Sequence, residues 1–220
     1  ASGYDASLPY NNRDPRLSAY IVHDGSTFKG KMVSTLDSRG GIDGIDASLN
    51  STRTGYYLRK LLREDVNADP VTRSEQEHYN VHFRYTEVFL NFAEAANEAW
   101  GPDGGNSPYT AREVVAAIRK RANIQQPDEY LNSVTGKEEM RLLIQNERRL
   151  ELCFEGFRFW DLRRWKSDLT EPVRGAEITN GVLSSFIVED REYDNNFMHY
   201  GPIPHSETVR FNLSQNAGWN

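Results

Sequence analysis

The chain has 220 residues, enough for one large domain or two small ones with a real hydrophobic core. Its net charge of -6 and pI near 5.5 argue against a nucleic-acid partner or an anionic membrane surface, because both are bound through an excess of Lys and Arg. The single cysteine, Cys153, excludes a disulfide framework, and no apolar run reaches the roughly 20 residues that cross a bilayer.

Residues 1–80 carry no clear periodicity and are rich in Gly and polar residues, so we expect loops with short extended or helical pieces that pack on the rest. Residues 81–166 form the predicted helical core. In the helix predicted over 83–100, apolar residues recur at i, i+3, i+4 and i+7, and GPDGGNSPY ends it. The next helix starts at Thr110, which has the capping-box spacing to Glu113.

A third helix of about 20 residues is predicted from Thr135, because Thr135 and Glu138 repeat the capping-box spacing. On a continuous helical wheel, residues 143–162 are apolar on two opposite faces, which indicates a helix clamped between neighbours. A second interpretation stays open, in which Gly156 ends the helix and FRFWDLRRW forms a separate turn or short helix.

Acidic side chains form a narrow stripe between these two faces, and buried without partners they would repel each other at high cost. We therefore predict a structural ion-pair network built on Glu147, Glu151, Glu155 and Arg158. The expected partners are arginines of neighbouring elements, namely Arg84, Arg119 and Arg121.

One alternative is a glycoside hydrolase, because carboxylates at i and i+4 lie about 6 Å apart, close to the separation of glycosidase carboxyl pairs. That chemistry needs an open cleft around a sugar ring, whereas bulky aromatic residues such as Phe154 and Trp160 surround these acids. We therefore predict no catalytic residue. Another alternative is a peptide-binding helical scaffold, which requires an exposed groove on residues 83–122 and is excluded if helix 83–100 is buried on both sides.

Residues 167–220 lose the helical pattern and are expected to form an irregular docking tail. Pro202 and Pro204 predict an extended segment. The apolar residues Phe211, Leu213 and Trp219 are expected to anchor it on the core.

The string NERRLELCFEGFRFWDLRRW, residues 146–165, resembles the signature of the SusD/RagB family, the surface glycan-binding lipoproteins of Bacteroidetes-type bacteria. Three further segments are similar in the family's order: NNRDPRL (11–17) with GYYLRKLL (55–62), RYTEVFLNFAEAANEA (84–99) and PIPHSETVRFNLSQNAGW (202–219). The resemblance covers nearly the whole chain, which corresponds to the C-terminal half of the considerably longer family members.

The resemblance implies an all-α fold of tetratricopeptide-like helical hairpins with long irregular loops, forming one region over residues 1–220. It implies a protein without catalysis or cofactor that binds an oligosaccharide or related nutrient at the cell surface. It also implies an outer-membrane location, with the lipid anchor in the missing N-terminal part, and a SusC-like TonB-dependent transporter as partner. Two groups of residues match family motifs that look like fold-holding ion pairs, namely Arg13, Asp14 and Arg16, and Glu151, Glu155, Arg158, Asp161 and Arg164. The resemblance thereby adds Asp161 and Arg164 to the predicted structural ion-pair network.

Sugar binding requires flat aromatic faces beside side chains that pair hydroxyl groups. Loop aromatics with such neighbours are the candidate glycan-binding residues, namely Tyr4, Tyr10, Trp100 and Tyr109. Surface packing is the competing explanation, and no sugar contact is transferred from the family. Asp43 and Asp46 could hold calcium but lack the ligand spacing of a calcium loop, and His78 and His82 lack the glutamate of a zinc protease, so no metal is predicted.

Overall fold

The computed structural model describes residues 3–35, 42–45, 47–179 and 182–219. Within them, the helices are α1 (Arg16–Tyr20), α2 (Tyr85–Trp100), α3 (Ala111–Arg121), α4 (Glu129–Ser133), α5 (Lys137–Glu151), α6 (Arg158–Arg164) and α7 (His205–Phe211). The strands are β1 (Ile21–Val22), β2 (Thr27–Phe28), β3 (Lys31–Met32), β4 (Tyr57–Leu58), β5 (Val173–Thr179) and β6 (Val182–Glu189). The fold is mainly helical, but three antiparallel strand pairs, β1 with β4, β2 with β3 and β5 with β6, correct the expectation of an all-α chain.

The hydrophobic core lies where α2, α3 and α5 meet. α2 packs against both α3 and α5, and α3 also contacts α5. Each helix directs an apolar stripe inward, so that Leu90 and Ala93 of α2, Val115 of α3 and Ile144 of α5 are completely buried. The helices predicted from the periodicity of residues 83–122 are therefore confirmed, whereas stacking of further tetratricopeptide-like pairs stays a prediction.

The helix starts follow the capping logic with one correction. Thr110 Oγ1 accepts from the Glu113 amide at 3.2 Å, and Glu113 Oε2 accepts from the Thr110 amide at 2.8 Å, so the predicted capping box at α3 is confirmed. At α5 the acceptor is Glu139, whose carboxylate takes the amides of Thr135 and Gly136 at 3.1 and 3.3 Å. The predicted pairing with Glu138 is therefore wrong by one residue.

The signature segment does not form one continuous helix. α5 ends at Glu151, and the chain then turns through Phe154 and Gly156, both with positive φ (64° and 85°). Glycine reaches this left-handed conformation without steric cost. The separate short helix α6 follows, as the second interpretation predicted, although the break comes before Gly156.

The described residues of the first third, 3–35, 42–45 and 47–80, form short elements joined by loops, in agreement with the sequence. Arg16 in α1 is buried, and the two-residue strands β1 and β4 pair with Ile21 opposite Leu58. The Ala176 amide of β5 donates to the Thr54 carbonyl at 2.9 Å. This hydrogen bond joins the loop-rich third to the β5–β6 hairpin.

The tail is more regular than predicted. β5 and β6 form a hairpin in register from Thr179 opposite Val182, and α7 replaces the extended segment expected after Pro204. Trp219 packs within the tail itself, since its ring meets Phe197 edge to face and its Nε1 donates to the Tyr200 carbonyl at 2.8 Å, and its anchoring of the tail on the core stays a prediction. The two other predicted anchors are wrong: these residues, Phe211 and Leu213, are exposed. No helix in the described ranges has the length and apolar character to cross a membrane.

Candidate functional site

The glutamates of α5 lie in a cluster of ion pairs that we call the α5 charge cluster. Its members are Arg16, Lys60, Arg84, Arg119, Arg121, Glu147, Glu151 and Glu155. Glu147 is fully buried and binds Arg16 through Oε1 and Arg119 through Oε2, the latter at 3.3 Å. Arg119 also forms two hydrogen bonds with Asp128, so two neighbouring elements are tied to one α5 side chain.

Glu151, the last residue of α5, is also buried and has three guanidinium partners. Its Oε2 accepts from Arg16 at 3.1 Å, and its Oε1 accepts from Arg84 at 3.0 Å and from Arg121. A pocket of about 330 Å³ borders this group. Because both carboxylate oxygens are already occupied, the pocket exposes no free acid.

Glu155 holds the two cations that also close the end of α5. Arg84 donates to Glu155 Oε2 at 2.7 Å, and Lys60 donates to Oε1 at 2.6 Å. The same two cations bind the Glu151 carbonyl, and Lys60 also binds the Cys153 carbonyl at 3.1 Å. These carbonyls have no partner within the helix, so the contacts replace a conventional C-cap. Burial favours a raised pKa for Glu155, but the hydrogen bonds from Arg84 and Lys60 outweigh it and lower the pKa.

A second group, the α6 charge cluster, joins α2, α5 and α6. Asp161 is buried, and its carboxylate accepts hydrogen bonds from Arg148 at 3.0 and 3.1 Å and from Arg164 at 2.9 Å. Arg164 also forms two hydrogen bonds with Glu94 of α2, which in addition accepts the Trp165 Nε1 at 2.7 Å. The predicted members Asp161 and Arg164 therefore lie in one cluster and the three glutamates in the other.

Arg158 corrects the predicted network. Its side chain is exposed and forms no ion pair or hydrogen bond with any described residue. The error follows from the continuous wheel, because the chain leaves the helical path after Glu151 and rotates Arg158 away from the glutamates. Arg13 also departs from the expected ion pairs. Whereas Arg16 is buried, Arg13 is exposed and lies over the Tyr4 ring, with its guanidinium carbon 5.2 Å from the centroid.

These contacts give the carboxylates a structural environment rather than a catalytic one. A glycosidase acid needs a raised pKa and access to the leaving group. Glu155 instead has a lowered pKa, and the carboxylate oxygens of Glu147 and Glu151 accept from arginines. The partners predicted for this stripe, Arg84, Arg119 and Arg121, are thus confirmed, and the hydrolase alternative is not favoured.

Two of the glycan-binding candidates come together in a small cleft of about 140 Å³, which we call the tyrosine cleft. It is lined by Tyr4, Tyr10, Arg13, Ile21, Tyr56 and Leu183. The Tyr10 ring stacks on His23 with centroids 3.9 Å apart and meets Tyr56 edge to face at 6.4 Å. Tyr10 Oη is buried without a hydrogen-bond partner in the described part of the chain. The cleft thus combines fixed aromatic rings with an arginine that has no carboxylate partner among the described residues.

The other two candidates lie elsewhere and do not share a cleft. Trp100 ends α2 with its ring against the 104–105 turn, where a Cβ on Gly105 would approach the ring to 2.6 Å. Tyr109 borders an apolar groove of about 580 Å³ between α2 and α3, together with Tyr85 and Phe89, and Trp100 is not among the described residues that line it. α2 is therefore open on one side, so the condition that would exclude a peptide scaffold is not met.

Metal-binding chemistry receives no support from the described ranges. They contain no group of three or more His, Cys, Asp or Glu side chains that could hold a metal ion. The Asp43 carbonyl accepts the Tyr57 hydroxyl at 3.2 Å, and Asp46 lies outside the described residues. His78 bonds the Leu61 carbonyl at 2.9 Å.

The sequence matches the model of the SusD family over residues 1–219. The chain belongs to the SusD family. Two similar members from Formosa agariphila are SusD-like protein P25, 30% identical over 138 residues (63% of this chain and 24% of the relative), and SusD-like protein P38, 34% identical over 101 residues (42% and 18%).

Two solved structures from Bacteroides fragilis NCTC 9343 are similar to this chain. One is a SusD-like protein with 28% identity and a TM-score of 0.72, covering 99% of this chain and 43% of that chain. The other is a SusD-like carbohydrate binding protein with 28% identity and a TM-score of 0.69, covering 94% and 42%. This SusD-family chain therefore spans less than half the length of the solved relatives that it matches.

Sequence reasoning did not identify Lys60 as a partner of the glutamates. Lys60 and Glu155 are 95 positions apart in the sequence. Their contact depends on the path of the loops and not on a local sequence pattern. The segment GYYLRKLL, which resembles the family, contains Lys60 and was the available signal.

Proposed function

We propose that this chain is the carbohydrate-binding part of a nutrient-capture protein that acts without catalysis. The observation that carries the proposal is that a solved SusD-like carbohydrate binding protein is structurally similar to this chain over 94% of the chain's length. The occupied carboxylates of both charge clusters support a role in folding rather than in bond cleavage. Delivery of the glycan to a SusC-like TonB-dependent transporter at the outer-membrane surface is part of the proposal.

The tyrosine cleft is the proposed first contact with the sugar. Tyr4 and Tyr10 offer aromatic faces for the apolar side of a pyranose ring, and Arg13 offers donors for its hydroxyl groups. These are the chemical types that orient sugars in protein sites.

The test is affinity electrophoresis in gels cast with starch, xylan, galactomannan or pectin. We expect at least one polysaccharide to retard the chain, and Tyr4→Ala to weaken that retardation by roughly tenfold in dissociation constant, since loss of a stacking contact costs about 1–1.5 kcal/mol. Tyr79→Ala is the matched control, because Tyr79 is exposed and lies outside the cleft. Equal retardation of the two variants would contradict the tyrosine cleft as a sugar site. A wild-type chain that no polysaccharide retards would contradict the proposed carbohydrate-binding function.

The hydrolase alternative and the transporter partner have separate tests. Release of chromophore from nitrophenyl glycosides, abolished by Glu151→Gln, would restore the enzyme hypothesis; we expect no release above the blank. The membrane proposal predicts that antibodies against this chain detect it in the outer-membrane fraction of its source cells. It also predicts that cross-linking there yields a β-barrel importer as the main partner.

A further inference from the structure

A second groove, of about 710 Å³, lies between α6 and the segment that follows β6, and we call it the α6 groove. Its lining includes Arg158, Phe159, Leu162, Arg191 and Tyr193. The signature segment thus places one side of α6 on a surface that neither charge cluster uses. The volume falls in the range typical of small-molecule sites.

The aromatic rings of the groove are held in position by neighbours. Phe159 meets Trp160 edge to face at 5.3 Å and carries the Arg163 guanidinium at 4.9 Å from its centroid. Tyr193 meets His199 edge to face, with its hydroxyl 3.3 Å from His199 Nδ1. A sugar ring that stacks here would meet rings that are already oriented, which reduces the entropy lost on binding.

The charged side chains of the groove retain their hydrogen-bonding capacity. Within the described residues, the side chains of Arg158, Arg191, Asp190 and Glu192 form no ion pair or hydrogen bond, although they line one groove. Among the described residues, the remaining acid, Glu189, pairs only with Arg53, at 3.6 Å and with both side chains mostly exposed. Exposed pairs of this kind contribute little.

This arrangement suits hydroxyl groups better than an anion. Each sugar hydroxyl both donates and accepts, so it needs guanidinium donors and carboxylate acceptors side by side. The lining has three carboxylates against two guanidinium groups, which disfavours a negatively charged ligand. Partial burial and then the like charge of Arg149 lower the pKa of Arg158, Asp161 and Glu171 partly oppose this, and Arg191 lowers it slightly further.

We infer that the α6 groove is a second carbohydrate-binding site, specific for neutral, hydroxyl-rich sugars, with Arg158, Arg191 and Tyr193 as its principal contacts. The inference rests on the proposed function and adds a site to it. Leu183 of the tyrosine cleft and Glu189 of the α6 groove lie on the same strand, six residues and therefore roughly 20 Å apart. One polysaccharide chain that contacts both sites would bind through linked contacts and gain avidity.

The experiment uses the full chain with Arg158→Gln/Arg191→Gln and measures retardation in starch, xylan and galactomannan gels, with pectin as the acidic comparison. Both arginines are exposed and have no ion-pair partner in the described part of the chain, so the variant should fold, which the melting temperature checks. We expect a loss of roughly tenfold or more in affinity for the neutral polysaccharide that retards the wild type, since hydrogen bonds to charged groups are removed. The matched control is Arg149→Gln/Arg174→Gln, which removes the same charge from exposed arginines outside the groove lining.

The outcomes separate this site from the proposed function. Loss in the groove variant with a wild-type result for the control supports the inference, and a parallel loss in Tyr193→Ala strengthens it. Equal retardation of groove variant and control, while Tyr4→Ala weakens binding, overturns the α6 groove and leaves the proposed function standing. Retardation by pectin alone overturns the assignment to neutral sugars. A wild-type chain that no polysaccharide retards overturns both proposals.

Discussion

Glu155 is the residue on which three segments of the chain converge. Its carboxylate binds Arg84 before α2 and Lys60 after β4, and both cations also bind carbonyls at the end of α5. The side chain of Glu155 is only 12% exposed, so water compensates little for a lost partner. Removing the carboxylate leaves two cations close together without their main counter-charge.

We predict that Glu155→Ala lowers the free energy of unfolding by roughly 3–5 kcal/mol, the cost typical of removing one partner of a buried pair. Urea denaturation followed by circular dichroism measures this change. The control is Glu138→Ala, because Glu138 is 76% exposed in its pair with Arg141 and should contribute less than about 1 kcal/mol. Equal midpoints for the two variants would contradict the structural role of Glu155.

The sequence predicted which residue types form ion pairs better than it predicted which partners each side chain contacts in the fold. The stripe of Glu147, Glu151 and Glu155 required buried arginines, and this requirement needs only the residue types and the helical period. Arg16 was flagged by its motif, yet its contact with Glu147 spans 131 positions and depends on the whole loop-rich third. Arg158 was misplaced because a wheel assumes that the helix continues.

At the scale of elements, the turn between α5 and α6 decides where the signature side chains point. Gly156 has φ of 85°, and nothing lies within 4 Å of the position that a Cβ would take. We predict that Gly156→Ala destabilises the chain by about 1–2 kcal/mol, entirely through the left-handed backbone. Thermal melting compares it with Gly201→Ala, where the site is equally open but φ is not positive. If Gly156→Ala left the melting temperature unchanged, the backbone would have to relax at this position at no energetic cost.

The β5–β6 hairpin and α7 were missed although the sequence contains signals for both. Asn180 and Gly181, which lie outside the described residues, form the dipeptide that favours tight hairpins, and β-branched residues follow it. Before α7, Pro202 and Pro204 led to the prediction of an extended segment. Proline is in fact tolerated at a helix start, because the first amides have no partner within the helix. Local propensity was therefore available, and the strong helical pattern upstream obscured it.

For the whole molecule, acid stability should follow the carboxylates that arginines hold ionised. Burial favours raised pKa values for Asp14, Glu94, Asp128 and Glu155, but hydrogen bonds from arginines, with Lys60 or Trp165 at some of them, lower all four. When a folded-state pKa is depressed, the unfolded chain binds more protons, and stability present at higher pH is lost as the pH falls through the folded pKa.

The expected result is a melting temperature that is nearly constant from neutral pH towards the ordinary carboxyl values of 4.5 and 3.8 and then falls steeply below them. Thermal melts in a series of buffers at fixed ionic strength measure it. Glu155→Gln should flatten the acid part of this curve because one depressed group is gone. A melting temperature that rises on acidification would contradict the ion-pair account.

The contacts of Lys60 have a consequence for truncated versions of the chain. The amine reaches from the first third of the chain to the end of α5, and Arg16 does the same from further upstream. A fragment that starts at residue 81 would keep the acids of α5 and lose both of these cations. We therefore expect such a minimal helical fragment to misfold, and loss of sugar binding in deletion mapping would reflect collapse of the scaffold rather than removal of a contact.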